Sequence, residues 1–248
     1  MKIVVAGATG ALGRQVVDAV RGAGHEPVPI SRGSGVDLVT GKGLVDVLRG
    51  ASAVIDASSR STTSARVSTR FFGTVTRNLL AAERAAGVPH HVAISIVGAR
   101  ELDASYYAGK VAQEDIVQAH AGGWSLIRTT QFHEFAVQLL GRGRVGPFQV
   151  VPSMRSQPVA ASEVARELVA IASGEPRGLE PDLAGPREED VADLVRRYLA
   201  ATSRTRAVIE VPLPGGWGSG MRDGTLLPGP GTRQGRQTFD EWLSRRTG

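Results

Sequence analysis

The sequence contains no cysteine, few lysines, and few aromatic residues, which make up 5% of its 248 residues. Without cysteine there is no disulfide framework, no thiolate nucleophile and no cysteine-ligated zinc or iron–sulfur site. No run of about 18 apolar residues is present, so no segment is expected to cross a membrane. No spacing of ligand residues indicates a metal site either. Any redox chemistry would therefore belong to a bound organic cofactor.

The basic residues outnumber the acidic ones but are spread along the whole chain. With 29 Lys and Arg against 24 Asp and Glu, the formal net charge is +5. No basic run and no interleaved aromatic platform is present, so a nucleic-acid partner is not favoured. The lysines are Lys2, Lys42 and Lys110. In so arginine-rich a chain, a retained lysine indicates a chemical role of its own.

The length of the chain bears on the number of domains, and its first residues bear on its location in the cell. A chain of 248 residues, 42% of them apolar, is long enough for one doubly wound domain, or for one such domain with a small appendage. The first residues pass directly into an apolar strand, without the pattern of a signal peptide. We therefore expect a cytoplasmic protein that acts on a small-molecule substrate and has no membrane partner.

The N-terminal segment has the pattern of a strand, a glycine-rich turn and a helix. An apolar run at 2–6 leads into Gly7-Ala8-Thr9-Gly10-Ala11-Leu12-Gly13, and residues 14–20 have helical spacing. Gly7 allows a sharp turn, Gly10 lets backbone N–H groups approach a pyrophosphate, and Gly13 lets the helix pack closely. The helix N-terminus then faces the phosphates. This pattern predicts a dinucleotide site, with a purely structural turn as the alternative.

The end of the second predicted strand, 26–31, indicates which dinucleotide is bound. An NAD-preferring site has an acidic residue about 20 positions after the glycines, on the ribose 2′-hydroxyl. Ser31 and Arg32 hold that place here, and a hydroxyl beside a guanidinium suits a 2′-phosphate. Arg14 is placed to assist from the other side. NADP(H) is therefore preferred and NAD(H) remains possible; the alternative is that Arg32 is simply solvated in a loop.

Strands and helices continue to alternate along the chain, which predicts an α/β fold of the Rossmann type with a doubly wound parallel sheet. Further strands are predicted at 36–38, 53–57, 91–95 and 124–128, and helices at 44–48, 66–86 and 105–120. Ligands in such sheets bind beyond the carboxyl ends of the strands. Residues at those ends are Ala57, Ser58, Ser59, Ser95 and residues 129–133.

A second chemical pattern is Tyr106-Tyr107-Ala108-Gly109-Lys110, at the start of the helix after Ser95. Tyr106 and Lys110 are four positions apart, so they lie on one helix face. A nearby ammonium lowers the pKa of a phenol toward neutrality, as a general acid or base requires. Lys110 is also placed to bind the nicotinamide ribose. The alternative is a packed tyrosine and a solvated lysine paired with Glu114.

The C-terminal part of the chain is less regular. We divide the chain into a dinucleotide-binding core at 1–140 and a mixed region at 141–248, which partly returns to the core and forms a small substrate-covering subdomain. Helices are predicted at 162–173 and 188–199, a strand at 208–211, and a last helix opened by the capping box of Thr238 and Glu241. Residues 212–235 are rich in Gly and Pro, which predicts a loop or lid. Trp217 is there a pocket candidate, with ordinary loop packing as the alternative.

With these motifs the chain resembles the short-chain dehydrogenase/reductase superfamily, and more closely its atypical, NmrA-like NAD(P)-binding branch. The resemblance covers essentially the full length. It rests on the segments 7–13, 94–98, 106–110, 126–135 and 157–160. The resemblance implies that Gly7, Thr9, Gly10 and Leu12 line the pyrophosphate and that Ser31 and Arg32 bind the 2′-phosphate. It further implies that Asp37 and Leu38 contact the adenine, that Ala57, Ser58 and Ser59 follow the ribose, and that Gln131 and Phe132 lie near the nicotinamide.

One departure from the family pattern concerns catalysis. Active members pair the tyrosine with a Ser or Thr a little beyond the strand end, whereas here the hydroxyl is that of Ser95, followed by Ile96 and Val97. Ser95 is the third catalytic candidate, and His133 is a substitute donor near the nicotinamide. Two functions remain open. The protein is either a reductase that uses NADPH to reduce a carbonyl, quinone or enone, or a non-catalytic NADP(H) sensor acting through a protein partner. Monomer and homodimer both remain open.

Overall fold

The structure is a computed structural model, and it describes residues 1–247. The strands, in chain order, are β1 Lys2–Ala6, β2 Glu26–Ile30, β3 Ala53–Asp56, β4 His91–Ile96, β5 Trp124–Thr129, β6 Arg144–Val145, β7 Phe148–Pro152, β8 Arg155–Ser156, β9 Gly178–Leu179, β10 Leu183–Ala184, β11 Glu189–Asp190, β12 Ala207–Val211 and β13 Arg233–Gln234. The α-helices are α1 Ala11–Gly22, α2 Leu44–Leu48, α3 Ala65–Ala86, α4 Ala99–Leu102, α5 Ser105–Gln118, α6 Phe135–Leu140, α7 Ala161–Ala172, α8 Val191–Ala201, α9 Gly215–Arg222 and α10 Phe239–Thr247.

These elements form two compact units, and the chain passes between them repeatedly. The first unit comprises Met1–Ser95, Asp103–Arg128 and Val164–Pro181. The second comprises Ile96–Leu102, Thr129–Glu163 and the described residues from Asp182 onward. The sequence prediction instead placed one boundary after residue 140. The role of residues 141–248 as a cover for the substrate stays a prediction.

A parallel sheet runs through the first unit in the order β2-β1-β3-β4-β5, with β9 beside β5. β1 pairs in parallel with both neighbours, so that Val4 lies between Val28 and Val54. Because the strand order reverses at β1, the carboxyl end of β1 is the position where doubly wound sheets bind ligands. The predicted α/β fold of the Rossmann type is confirmed.

Apolar side chains on both faces of β1 build the core of the first unit. Successive residues of a strand point to opposite faces, and Ile3, Val4 and Val5 are all fully buried. On one face, a buried cluster joins β1 and β3 to the helices α2 and α3. Helix α1 contacts β1 and β2, and α3 packs along α5. These helices hold the carboxyl ends of β1 and β3 in place.

The second unit contains short strands and helices of its own. Leu183 of β10 pairs in parallel with Thr129, the last residue of β5, and with Arg233 of β13. A separate three-stranded sheet has the order β12-β7-β6, and β11 pairs antiparallel with β8. Helix α8 packs against α6, α10, β7 and β12. Within residues 1–247, no helix is both long and apolar enough to cross a bilayer.

The strand predicted at 36–38 is wrong, since Val36 and Asp37 are irregular and Leu38 begins a turn. The Asp37 carboxylate accepts hydrogen bonds from the backbone N–H groups of Val39 at 2.8 Å and Thr40 at 3.3 Å. Asp commonly closes a turn in this way. Gly35 and Gly41 on either side have φ of +78°, which an extended strand does not contain. The side chain of Asp37 therefore replaces ladder hydrogen bonds with local ones.

Two further predictions in the C-terminal half need correction. The segment 212–235 is not wholly a loop, because it contains α9 and β13. The helix predicted from residue 188 begins at Val191, because Asp190 is its N-cap and accepts from the N–H of Ala192 at 2.8 Å. The last predicted helix is confirmed with its capping box. The N–H of Thr238 donates to Glu241 at 2.8 Å, and the N–H of Glu241 donates to the Thr238 hydroxyl at 3.3 Å.

Candidate functional site

The turn between β1 and α1 leaves no room for side chains at two of its glycines. Gly7 has φ +76°, and a Cβ there would lie 2.7 Å from the Ala57 carbonyl oxygen. A Cβ on Gly13 would collide with the Gly7 carbonyl oxygen. The Arg14 guanidinium donates to the Thr9 carbonyl and so fixes the outer side of the turn. The geometry therefore requires glycine at both positions.

The first turn of α1 presents backbone N–H groups beyond the end of β1. Gly10 is the N-cap, and its own N–H donates to the Gly7 carbonyl at 2.9 Å. In the part of the chain that the structure describes, no side chain caps α1 and no acidic residue lies in its first turn. Ala11 and the buried Leu12 begin the helix. Uncapped N–H groups and the positive end of the helix dipole suit a pyrophosphate.

The residues after β2 lie next to this turn, because the N–H of Ala8 donates to the Ile30 carbonyl at 3.4 Å. The Ser34 hydroxyl donates to the Ser31 carbonyl at 2.7 Å and closes a short 3-10 helix over Arg32–Ser34. Arg32 is exposed. The binding of a 2′-phosphate by Ser31 and Arg32, and with it the preference for NADP(H), stays a prediction.

Asp37 and Leu38, the residues that the resemblance assigns to the adenine, lie in the following turn. The Asn78 side chain donates to the Leu38 carbonyl at 2.9 Å and to the Val39 carbonyl at 2.8 Å. Helix α3, which carries Asn78, thereby holds the turn in place. The contact of these two residues with adenine stays a prediction.

The segment after β3 carries a buried hydroxyl that lacks a partner. The N–H of Ala57 donates to the Ala6 carbonyl at 3.0 Å, and the N–H of Ser58 donates to the Asp56 carboxylate at 2.9 Å. The Ser58 hydroxyl is buried and has no hydrogen-bond partner among residues 1–247. Buried polar groups in proteins are normally satisfied, so this hydroxyl is available to a ligand that binds at the end of β3.

Tyr106, at the start of α5, is held by contacts on several sides. Its hydroxyl oxygen lies 2.9 Å from the Ser59 hydroxyl oxygen. The Ser68 hydroxyl donates to the Tyr106 carbonyl at 2.8 Å, and the ring packs edge-on against Phe72 at 5.4 Å between centroids. Ser59 was predicted as a ribose contact, and its pairing with Tyr106 was not predicted.

Lys110 belongs to a chain of buried hydrogen bonds that leads to the end of β3. Lys110 is only 4% exposed, and its ammonium donates to the Gln113 side-chain oxygen at 2.6 Å. The Gln113 amide donates to the Asp56 carboxylate at 2.8 Å. The ammonium also lies 4.5 Å from the centroid of the Phe72 ring. The alternative of a solvated lysine is therefore wrong.

Its proposed partner Glu114 is engaged elsewhere. The Glu114 carboxylate accepts two hydrogen bonds from the Arg128 guanidinium, at 2.9 Å and 2.6 Å. Such a two-point pair fixes the carboxylate geometrically. Glu114 therefore acts on Lys110 through its charge rather than as the partner that the alternative required.

Burial controls the pKa values of both candidate catalytic groups. Burial raises the pKa of Tyr106, the hydrogen bond with Ser59 works against this, and the charge of Asp56 adds to the rise. Burial lowers the pKa of Lys110 to about 8, although the charges of Asp56 and Glu114 oppose this. The expected lowering of the Tyr106 pKa is therefore wrong. Helical spacing indicates proximity but does not include the cost of desolvation.

We expect Asp56→Asn to lower the pKa of Lys110 below its wild-type value of about 8, because Asp56 supplies an opposing charge that favours the ammonium. The chain has only three lysines, so protein labelled with 13C at the lysine Cε gives few resonances to assign and titrate by NMR. Asp46→Asn, on the surface of α2, is the matched control and leaves the Lys110 titration unchanged. A wild-type Lys110 whose measured pKa is not below the ordinary value of a lysine would contradict the buried network.

Sequence reasoning did not identify Asp56 and Gln113. Gln113 follows Lys110 by three positions on α5, a spacing that places the two side chains on one face. Asp56 is the acidic residue that ends the otherwise apolar strand β3. A search for polar groups on the face of Lys110 and at strand ends would have indicated both.

Ser95 lies near the end of β4 and is 1% exposed. Its hydroxyl has no hydrogen-bond partner in the described part of the chain. The contacts of the structure join the Tyr106 hydroxyl to Ser59 instead. A catalytic role for Ser95 stays a prediction.

The remaining predicted residues belong to the second unit. The Gln131 side-chain oxygen accepts from the Ser156 hydroxyl at 2.8 Å, and its amide nitrogen is buried without a partner among the described residues. Phe132 forms an isolated bridge with Val159. Trp217 lies on α9, and its indole N–H likewise has no partner within residues 1–247. The roles of Gln131 and Phe132 at the nicotinamide and of Trp217 in the pocket stay predictions.

His133 is a buried member of an aromatic cluster. Its Nε2 lies 3.0 Å from the Gln237 carbonyl oxygen, and its ring packs against Phe239 and Trp242 at 5.7 Å and 5.9 Å between centroids. Because a carbonyl only accepts, Nε2 carries the hydrogen. Burial lowers the pKa of His133, so the neutral ring has no second hydrogen to donate. The role of His133 as a donor to the substrate stays a prediction.

Known proteins resemble this chain in structure rather than in sequence. No family model matches the chain, and no curated protein matches its sequence. Among solved structures, an NADPH-dependent quinone oxidoreductase from Escherichia coli in complex with NADPH is 16% identical, with a TM-score of 0.71 and 100% of each chain covered. An NAD-dependent NDP-hexosamine 5,6-dehydratase of tunicamycin biosynthesis is 18% identical, with a TM-score of 0.72 and coverage of 99% of this chain and 96% of that one.

A short-chain dehydrogenase/reductase superfamily protein from Agrobacterium tumefaciens with bound NAD is similar as well. It is 19% identical, with a TM-score of 0.67, and the match covers 100% of this chain and 96% of that chain. At these identities the likeness establishes the fold. The chain has the Rossmann-type α/β fold that its motifs predicted.

Proposed function

We propose that the protein is an NADP(H)-dependent oxidoreductase that reduces a carbonyl, a quinone or an enone. The observation that carries the proposal is the link between the glycine turn and the tyrosine. A Cβ on Gly7 would lie 2.7 Å from the Ser58 Cα, so the turn lies directly against the segment after β3. The next residue, Ser59, is in hydrogen-bond contact with Tyr106. The proposed dinucleotide site at the glycine turn and the candidate acid–base residue Tyr106 thus both contact the segment that follows β3.

The residues present fit a dinucleotide. The two crowded glycines keep side chains away from the turn, the start of α1 offers N–H groups, and the Ser58 hydroxyl lacks a partner within residues 1–247. In our proposal Ser31 and Arg32 bind the 2′-phosphate. When bound, the reduced nicotinamide supplies the hydride.

The chain itself supplies the proton. Reduction of a carbonyl adds hydride to carbon, and the oxygen then needs a proton. The raised pKa of Tyr106 keeps its hydroxyl protonated at neutral pH, so it is suited to donate rather than to accept. As the proton leaves, the Ser59 hydroxyl is placed to donate a hydrogen bond to the tyrosine oxygen. Lys110, with a pKa of about 8, carries most of its positive charge at neutral pH. In our proposal this ammonium, one helical turn from Tyr106, stabilises the resulting anion.

The choice among acceptor classes rests on the comparison. One of the proteins of similar fold is described as an NADPH-dependent quinone oxidoreductase. Reduction of quinones and of enones also ends with a proton on an oxygen or carbon that has gained electron density, so the same tyrosine serves all three classes. We therefore take quinones as the first class to test.

A sensor without turnover is the second candidate. The raised pKa of Tyr106 favours it, because a tyrosine with a raised pKa holds very little phenolate at neutral pH to act as the base in the oxidative direction. In this case the same residues bind NADP(H), and the difference in affinity between its oxidised and reduced forms controls a partner protein.

The deciding experiment follows NADPH oxidation at 340 nm with a panel of quinones, aldehydes, ketones and enones, and repeats it with NADH. We expect turnover with at least one class and faster turnover with NADPH. Tight NADPH binding without turnover on any acceptor would contradict the reductase and favour the sensor. Absence of nucleotide binding would contradict both.

Arg32→Ala is expected to raise the Kd for NADPH by about 10-fold and to leave the Kd for NADH within about 2-fold, because the guanidinium meets only the 2′-phosphate. Isothermal titration calorimetry with both nucleotides measures the effect. The matched control is Arg21→Ala, an exposed arginine at the far end of α1 that is paired with Asp18. Equal losses of affinity for NADPH and NADH would show that Arg32 does not bind the 2′-phosphate.

A further inference from the structure

One face of the three-stranded sheet β12-β7-β6 is apolar and exposed to solvent. The pairing register places Ala207 beside Phe148, Ile209 beside Val150 and Val211 beside Pro152, so these side chains share a face. Large apolar residues of this sheet that remain exposed are Val145 at 61%, Phe148 at 41%, Ile209 at 41% and Val211 at 36%. Exposed apolar surface of this kind marks a site of association.

Strand β12 forms an open edge of this sheet. It pairs with β7 on one side, and no strand lies on its other side among residues 1–247. An open edge is a template for another strand, and proteins commonly blunt such edges with proline. The edge strand β2 of the large sheet contains Pro27 and Pro29, whereas β12 reads Ala-Val-Ile-Glu-Val. β12 thus lacks the protection that β2 has.

The backbone of β12 fixes which of its residues face outward. The Val211 carbonyl accepts from the N–H of Ser153, which follows β7. In a parallel pair, alternate residues of a strand direct their N–H and C=O groups to the same neighbour. Val211 and Ile209 therefore face β7, and Val208 and Glu210 direct their backbone groups to the open side. An incoming strand therefore meets the outward backbone groups of Val208 and Glu210.

Glu210 of β12 and Arg206, the residue immediately before β12, lie symmetrically about Val208 in the sequence and carry opposite charges. We propose that β12 pairs antiparallel with β12 of a second copy of this chain, in the register that places Val208 opposite Val208. This register places Arg206 of each copy opposite Glu210 of the other, so two opposite-charge pairs form. It also pairs the outward backbone groups of Val208 with each other, as a two-fold symmetric interface requires.

The surface beside β12 is basic and suits the incoming glutamate. A depression of about 610 Å³ between the end of α8 and β12 is lined by Arg196, Arg204, Arg206 and neighbouring residues. Arg206 makes one long hydrogen bond of 3.4 Å to Gln149, and a guanidinium has further N–H donors to offer. Glu210 is exposed in the single chain. In the proposed dimer, Glu210 of the second copy lies beside these arginines.

Charge reversal tests the pairing. Sedimentation velocity over about 1–200 µM should show a concentration-dependent dimer of the wild-type chain, because a five-residue strand pair is a small interface. Arg206→Glu and Glu210→Arg each place like charges opposite one another and are expected to raise the dissociation constant at least about 100-fold. Mixing the two variants restores opposite charges in both pairs, so a heterodimer of near wild-type affinity is expected. The double variant R206E/E210R is expected to dimerise on its own.

Glu26→Arg is the matched control for Glu210→Arg, because it makes the same change in net charge on the proline-containing edge strand β2. We expect it to leave the dimer unchanged. Two variants that are monomeric alone and dimeric together exclude misfolding as the cause. A wild-type chain that is monomeric throughout, single variants that dimerise as the wild type does, or a mixture that stays monomeric would each overturn the proposal. The dimer does not depend on the proposed enzyme activity, because no nucleotide is needed for its measurement.

Discussion

Replacing Tyr106 with phenylalanine lowers kcat of NADPH-dependent reduction by at least about 100-fold, the expected result if its hydroxyl is the proton donor. Phenylalanine keeps the ring that packs against Phe72 at 5.4 Å. We therefore expect the melting temperature and the Kd for NADPH to stay close to the wild-type values. Steady-state kinetics on the best acceptor, together with calorimetric binding of NADPH, separates lost chemistry from lost binding.

Tyr107→Phe is the matched control for this loss. Tyr107 is the buried neighbour of Tyr106, and we expect its variant to keep kcat within about 2-fold, since surface or packing hydroxyls contribute little to chemistry. The pH profile is a second readout. The protonated form of Tyr106 is the active one, and burial raises its pKa, so ionisation of Tyr106 lowers kcat only above the range in which an ordinary tyrosine ionises. Loss of the Lys110 charge, with a pKa of about 8, lowers kcat at a lower pH. A Tyr106→Phe variant with wild-type kcat would assign the proton to another group.

The N-terminal half of the fold could be predicted from sequence because its signals are local. An apolar run, three spaced glycines and a helical pattern follow one another within residues 2–20, and the structure has β1, the turn and α1 there. The strand predicted at 36–38 failed because a single carboxylate, that of Asp37, closes a turn on the following N–H groups. Composition alone does not distinguish a short apolar run from a turn with apolar residues.

The candidate site could be predicted only in part. The spacing of Tyr106 and Lys110 places both on α5, but the sign of each pKa shift depends on burial by α3, which a helical pattern does not include. The pairing of Ser59 with Tyr106 joins two elements that are far apart in the sequence. The aromatic cluster around His133 likewise depends on α10, at the other end of the chain. Long-range contacts of this kind follow from packing, which one sequence does not specify.

Gly13→Ala is the substitution expected to damage the dinucleotide site most. A Cβ on Gly13 collides with the Gly7 carbonyl oxygen and approaches the Ala8 Cα to 2.9 Å, and both are backbone atoms that cannot rotate away. Helix α1 must therefore move off the turn, and its first N–H groups move with it. We expect a loss of about 1–3 kcal/mol in the free energy of unfolding. We also expect the Kd for NADPH to rise at least about 100-fold, since anion binding at a helix N-terminus depends on the placement of those groups.

Gly22→Ala is the matched control, because it makes the same chemical change in the same helix. Gly22 is the last residue of α1, and a Cβ there meets nothing within 4 Å. Alanine lowers the conformational entropy of the unfolded chain, so we expect this variant to gain about 0.4–1 kcal/mol of stability with unchanged NADPH binding. Urea denaturation and calorimetric titration of both variants give the two quantities. If Gly13→Ala behaved as Gly22→Ala does, the close approach of α1 to the β1 turn would not determine dinucleotide binding, and the assignment of this turn to the pyrophosphate would lose its main support.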